Sequence, residues 1–148
     1  MMEDTILEVE NLRTSFATDA GSVQSVRGIT FHVGKGESLG IVGESGCGKS
    51  VTMLSIMGLL EDNASRQADA LLFDGEDLLK KSPREMRKIQ GNRIGMIFQD
   101  PMTSLNPLFT VGEQIRGPLM RHQKLSRKEA EKKALVMRQW AFPARSAG

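Results

Sequence analysis

With 148 residues, 26% of them charged and 39% hydrophobic, the chain has the make-up of an ordinary globular protein with room for one compact core. A net charge of +2, with acidic and basic residues interleaved, excludes an electrostatic nucleic-acid binder. The single cysteine, Cys47, excludes an internal disulfide and fits a reducing compartment. The acidic start at Glu3 and Asp4 carries no secretion signal, and the longest apolar run, residues 53–60, is far short of a bilayer span.

Taken in chain order, Leu7 and Val9 alternate with Glu8 and Glu10, the period of a half-buried strand. Gly21-Ser22 reads as a turn into a strand at 23–27, followed by a short strand at 29–33 and a tight turn at Gly34-Lys35-Gly36. Residues 38–42 form an apolar run suited to a strand buried on both faces. Residues 49–60 have helical character, with Met53, Ile56, Met57 and Leu60 along one face. Residues 71–73 and 93–98 read as further strands. Two helices are announced by capping boxes, Ser82-Pro83-Arg84-Glu85 and Ser126-Arg127-Lys128-Glu129, the second helix running to about Gln139. Thr110-Val111-Gly112-Glu113 caps a third, which Pro118 is expected to kink or end. Strands mixed with helices around a buried strand define an α/β architecture, without repeats or low-complexity linkers.

Gly43-Glu44-Ser45-Gly46-Cys47-Gly48-Lys49-Ser50 satisfies the pattern G-x-x-x-x-G-K-[ST] at every required position, after an apolar run and before a helix. Triphosphate oxygens need many donors at short range. Glycines at 43, 46 and 48 let backbone N–H groups converge on them and adopt the angles this requires. The following helix offers its unpaired N–H groups and positive dipole end to the anion. Lys49 then reaches the β- and γ-phosphates as a point charge and the Ser50 hydroxyl ligates Mg²⁺, making MgATP the expected ligand. The alternative is a glycine-rich turn without a ligand. Cys47 is either an acidified thiol in an electropositive loop or a small residue that fits.

A phosphate loop alone does not separate kinases, GTPases, helicases and transporter ATPases. Ile94-Gly95-Met96-Ile97-Phe98-Gln99-Asp100-Pro101 resembles the Q-loop of ABC ATPases, and Met102-Thr103-Ser104-Leu105-Asn106-Pro107 resembles the dipeptide, oligopeptide and nickel importer branch. Gly43-Glu44-Ser45-Gly46 with Lys49-Ser50-Val51-Thr52, and Ile56-Met57-Gly58-Leu59-Leu60, point the same way. The resemblance implies a truncated ABC-type nucleotide-binding domain of the P-loop NTPase fold, with an N-terminal antiparallel β region. It also implies an ATP-hydrolysing subunit that couples turnover to transport, at the cytoplasmic face of a bacterial inner membrane. Its partners would be membrane permease subunits, a second ATP-binding subunit and, through the complex, a solute-binding protein; nucleic acid would not be one.

Residue by residue, the resemblance places loop residues 43–50 and Val51 on the nucleotide and Phe16 against adenine, although a core phenylalanine in a hairpin is the plain alternative. It places Gln99 on Mg²⁺ or the attacking water, against the alternative of a strand-end amide, and turns residues 100–108 toward a permease. The run Leu71-Leu72-Phe73-Asp74 imitates a Walker B strand. It precedes the Q-loop and leads into Gly75-Glu76-Asp77, so it is assigned to the antiparallel region. Lys80-Lys81 and the charges of residues 84–88 are assigned to solvated faces.

The resemblance covers about residues 7–134, so 1–135 is taken as the first part of the ABC domain. Residues 136–148 are taken as a tail outside the family pattern, expected to be disordered. The family's signature motif, Walker B strand, D-loop and switch histidine are not met, and His32 and His122 stand in the wrong contexts for the last. A frameshift or premature stop in a longer gene would give such an ending. Strand 38–42 would then lack parallel neighbours and expose apolar side chains. Two other readings stay open: a degenerate nucleotide-binding fragment without turnover, and an ABC ATPase outside transport, against which residues 100–107 argue. Peptide and nickel both remain as solutes.

Overall fold

The computed structural model describes residues 4–44, 46, 48–99 and 105–141, with side chains to residue 137. The chain divides into two units, residues 1–87 and 88–148. Composition suggested one core, but each unit has its own: Val9, Leu12, Val26, Ile56, Leu71 and Leu78 in the first, and Leu119, Ala130 and Ala134 in the second.

The first unit is built on β1 (Thr5–Thr18) and β2 (Gly21–Gly34), a long antiparallel hairpin closed by Asp19-Ala20. The turn thus lies two residues before the expected Gly21-Ser22. The two short strands expected at 23–27 and 29–33 are one, because β1 offers a continuous partner with register shifts rather than a break. One such shift lies between Val9 and Leu12, where Asn11 takes a φ of 49°. It moves the buried positions from Val9, odd in the chain, to Leu12 and Thr14, both even, as a one-residue slip must. β3 (Ala64–Gln67) and β4 (Ala70–Phe73) pair antiparallel with successive stretches of β1, and β5 (Glu76–Asp77) pairs with β4. Asp74 follows β4 in a turn with φ 50°, within this antiparallel sheet. Lys80 pairs with Asp77 at 3.0 Å and Lys81 with Glu76.

α1 (Lys49–Met57) ends earlier than the expected residue 60, because Gly58 adopts a left-handed cap (φ 65°). Its N–H group and that of Leu59 close on the carbonyls of Leu54 and Ser55. The buried face of α1 is Thr52, Ser55, Ile56 and Met57, two of them polar, and Met53 is only half-buried.

Two expected strands are not formed. Residues 38–42 belong to no helix or strand and have no ladder partners among the described residues, and Val42 is 96% exposed. Residues 93–98 contribute only a single bridge, Gln90 to Ile94, and Ile97 is 98% exposed. A strand buried on both faces needs neighbours on both edges, and the described residues supply none.

α2 (Pro83–Ile89) starts at its capping box, with Glu85 accepting from Ser82 N–H at 2.8 Å. The second unit pairs α3 (Val111–Gln123) with α4 (Arg127–Ala141) around Leu119, Ala130 and Ala134. Both begin at the expected boxes: Thr110 N–H donates to Glu113 at 3.0 Å and Ser126 N–H to Glu129 at 2.9 Å. Pro118 does not end α3. It sits exposed within a helix that continues for five residues, to Gln123, because the buried Leu119 beyond it packs on α4. Residues 136–141, expected in a disordered tail, continue α4; 142–148 lie outside the described residues.

Candidate functional site

The loop at 43–50 leads directly into α1. Gly48 is the residue before the helix and has φ 90°, and Gly46 has φ 81°. Both are left-handed conformations that an L side chain resists. A Cβ on Gly48 would also stand 2.6 Å from the backbone oxygen of Ser25. Ser25 is the extra residue of β2 where the register shifts opposite Thr14 and Ser15, so a bulge aims its carbonyl at the loop.

The Lys49 ammonium donates to the carbonyls of Gly43 and Glu44, at 2.5 and 2.6 Å, which folds the loop over its own lysine. No acidic side chain stands in the first turn of α1, and its positive end is not offset by a carboxylate there. A cavity of about 620 Å³ opens between β2 and the loop, lined by Val23, Ser25, Ile41, Gly46, Gly48 and Lys49 among others. Glycine approach, a cationic side chain and a helix N-terminus on one wall are a donor set that fits phosphate.

The other expected site residues fall as follows. Gly43, Glu44 and Ser50 are exposed and Val51 half-buried. Ser45 and Cys47 lie outside the described residues, as do 100–104 of the expected permease-facing segment. Phe16 is half-buried on β1, directly opposite Val23 of β2 and Ala64 of β3. Side chains of directly opposed residues are neighbours on one face, so Phe16 stands beside a residue that lines the cavity. Gln99 is exposed at a bend of the second unit rather than at a strand end.

A polar cluster under α1 has no counterpart among the residues the sequence patterns single out. The hydroxyls of Thr14 and Ser55 are 2.7 Å apart and both residues are buried. Ser55 Oγ also lies 2.6 Å from the Val51 carbonyl, to which it donates. A hydroxyl has one proton, so Thr14 is the donor to Ser55. The Ser55 carbonyl in turn accepts from Nη1 of Arg66, whose Nη2 reaches the Leu78 carbonyl at 3.3 Å. Burial pushes the Arg66 guanidinium below its ordinary pKa. It nevertheless stays charged at neutral pH, a cation against carbonyls at the C-terminal end of α1. The only sequence-level signal is a Thr and a Ser at positions where the hydrophobic pattern calls for apolar residues.

A glycine-rich loop that opens a helix with its lysine at the mouth, beside an antiparallel β region, fits a P-loop nucleotide-binding domain of the ABC type. Residues 26–146 match the family model described as ABC transporter, and the chain belongs to that family. It is 53% identical over 135 residues to the dipeptide transport ATP-binding protein DppD of Bacillus subtilis (strain 168), covering 90% of this chain and 40% of that protein. It is 49% identical over 145 residues to DppD of Lactococcus lactis subsp. cremoris (strain MG1363), covering 97% and 42%. With the oligopeptide transport ATP-binding protein OppD of Escherichia coli (strain K12) it shares 45% over 134 residues, covering 90% and 40%. The chain therefore spans about two fifths of the length of these curated relatives. Among solved structures, the dimeric bacterial ABC transporter cassette MJ0796 matches with a TM-score of 0.78 at 23% identity, covering 96% of this chain and 60% of that one. A post-hydrolysis dimer of the same cassette matches with a TM-score of 0.74 at 26% identity, covering 95% and 60%.

Proposed function

We propose that this chain is the nucleotide-binding portion of an ATP-binding subunit of an ABC importer for peptides, which couples ATP binding and hydrolysis to transport through membrane permease subunits. The observation that carries the reading is the loop 43–50 opening α1, with Gly48 pressed on β2 and the Lys49 ammonium held over the loop carbonyls. Support for peptide as the solute comes from the names of the relatives, dipeptide and oligopeptide transport ATP-binding proteins. Support for a nucleotide comes from the cassette solved with ADP and Pi, whose fold this chain shares.

In this reading Gly43, Glu44, Ser45, Gly46, Cys47, Gly48, Lys49, Ser50 and Val51 surround the phosphates. Lys49 exchanges its loop carbonyls for β- and γ-phosphate oxygens. The Ser50 hydroxyl and Gln99 are the residues that would hold Mg²⁺, which would neutralise charge on the phosphates. Gln99 also orients the attacking water, and Phe16 offers a ring face to the adenine. The partners are membrane permease subunits, a second ATP-binding subunit and, through the complex, a solute-binding protein. The location is peripheral, on the cytoplasmic face of the bacterial inner membrane; among the described residues no helix is long and apolar enough to cross a membrane.

Calorimetry with MgATP tests the site. Binding by the wild type and its loss in Lys49→Ala are expected, and equal binding by both would remove the assignment.

A second reading applies to the 148-residue chain on its own: it binds nucleotide without turning it over. The exposed run at 38–42, which has no ladder partner among the described residues, favours it, because phosphoryl transfer demands rigid positioning of metal, water and phosphate. Phosphate release indistinguishable from that of Lys49→Ala is the expected result, and turnover clearly above that background would overturn it.

A further inference from the structure

The cluster under α1 joins the two halves of the nucleotide reading. Thr14 lies two residues before Phe16 on β1, and β3 pairs the two in an unbroken register, Thr14 with Arg66 and Phe16 with Ala64. Residues two apart on a strand share a face, and in β3 Ala64 and Arg66 are half-buried while Ser65 and Gln67 are exposed. Thr14, Phe16 and Arg66 therefore stand on the side of the sheet that faces α1, with Thr14 and Phe16 about 7 Å apart along the strand. On α1, Ser55 is six residues beyond Lys49, about 9 Å along the helix axis. Ser55 touches both strands: its hydroxyl accepts from Thr14 and its carbonyl accepts from Arg66.

We propose that Ser55 is a positioning residue which, through Thr14 and Arg66, sets the distance between the base platform at Phe16 and the phosphate loop at Lys49. The inference rests on the nucleotide reading of that loop. No apolar contact could do this equally well, because a methyl group tolerates sliding of a helix over a sheet whereas a hydroxyl pair does not. The Ser55 hydroxyl is also committed to the Val51 carbonyl, so the bond from Thr14 is tied to the first turns of the phosphate-binding helix. Arg66 holds the other end, close to the left-handed cap at Gly58: a Cβ there would lie 3.5 Å from Nη1 and from Nη2 of Arg66. The helix is thus located against the sheet both along its axis and at its C-terminus.

A spacing device has a signature that simple destabilisation lacks. It matters only for a ligand that touches both platforms at once. Inorganic tripolyphosphate engages the loop alone, whereas ATP must span loop and ring. The test compares the affinity of the chain for MgATP and for magnesium tripolyphosphate by calorimetry, in wild type, Thr14→Val, Ser55→Ala and Arg66→Met. Thr14→Ser and Arg66→Lys serve as conservative variants that restore the donor. ATP affinity should fall about tenfold in the first three variants while tripolyphosphate affinity stays within about twofold, and the conservative variants should recover most of the loss. The double variant Thr14→Val/Ser55→Ala should lose no more than either single one, since both remove the same bond. Parallel weakening of both ligands, or unchanged ATP affinity, would overturn the inference and leave the loop assignment standing. A wild type that binds neither ligand would overturn the nucleotide reading, and the inference with it.

Discussion

The backbone oxygen of Ser25 occupies the space that a Cβ on Gly48 would need, at 2.6 Å. The contact joins the bulge in β2 to the residue before α1, so the loop glycine is required twice over: by its φ of 90° and by the strand behind it. Gly46 shares the left-handed conformation (φ 81°) but meets nothing within 4 Å. Gly46→Ala should therefore cost only the backbone term, roughly 1–2 kcal/mol. Gly48→Ala should cost clearly more, because a backbone carbonyl cannot swing aside as a side chain can. Urea unfolding of the two variants measures the difference, and coincident midpoints would contradict the close approach.

Much of the local structure is legible in the order of the residues alone. The loop pattern, the capping boxes at Thr110 and Ser126, and the hairpin strands follow from local chemistry, and local chemistry is what a sequence displays. The spine of the site is not. Ser25 meets Gly48 only because β2 carries one extra residue opposite Thr14, and nothing local in 21–34 marks that position. Thr14 and Ser55 are 41 residues apart and read singly as weak interruptions of apolar patterns. The strands expected at 38–42 and 93–98 fail for a different reason. Their residues suit strands, but a strand is a property of a pair, and neither finds a ladder partner among the described residues.

The helices of the second unit carry a pH dependence with a definite sign. The Glu113 carboxyl is held below its ordinary value of 4.5 first by the hydrogen bond from the Thr110 side chain and then by the Thr110 backbone. Glu129 is held down in the same way, first by the Ser126 side chain and then by its backbone N–H. A folded-state pKa below the unfolded one means the carboxylate form stabilises the fold. That contribution is complete above the ordinary carboxylate range and disappears as pH falls through the depressed values. Helicity should be level near neutrality and decline only once the pH has fallen below the ordinary carboxylate value of 4.5, as both boxes protonate. In Glu113→Gln/Glu129→Gln the decline should flatten, since glutamine keeps part of each box without titrating. Circular dichroism across this range is the measurement; identical acid profiles for wild type and double variant would rule the caps out as its origin.

α3 holds two poor helix formers side by side, Gly117 and Pro118, both exposed. Proline in a helix interior forfeits a backbone hydrogen bond and costs about 3 kcal/mol relative to alanine. Pro118→Ala should therefore stabilise α3, by about 1–3 kcal/mol once the flexibility of its ends is allowed for. Gly117 is subtler. A Cβ on it would meet nothing within 4 Å, so in an ordinary helix Gly117→Ala would gain about 0.5–1 kcal/mol. The residue before a proline is a special case, because the proline ring crowds that residue's Cβ in the helical conformation. Glycine relieves this crowding by having no Cβ. Gly117→Ala alone should then be neutral or destabilising, and become stabilising only in the Pro118→Ala background. Thermal unfolding followed by circular dichroism, over the four members of this cycle, measures the coupling directly. Additive effects would show that Gly117 does not serve as the relief for Pro118, and that the continuation of α3 past the proline rests on Leu119 and its packing against α4 alone.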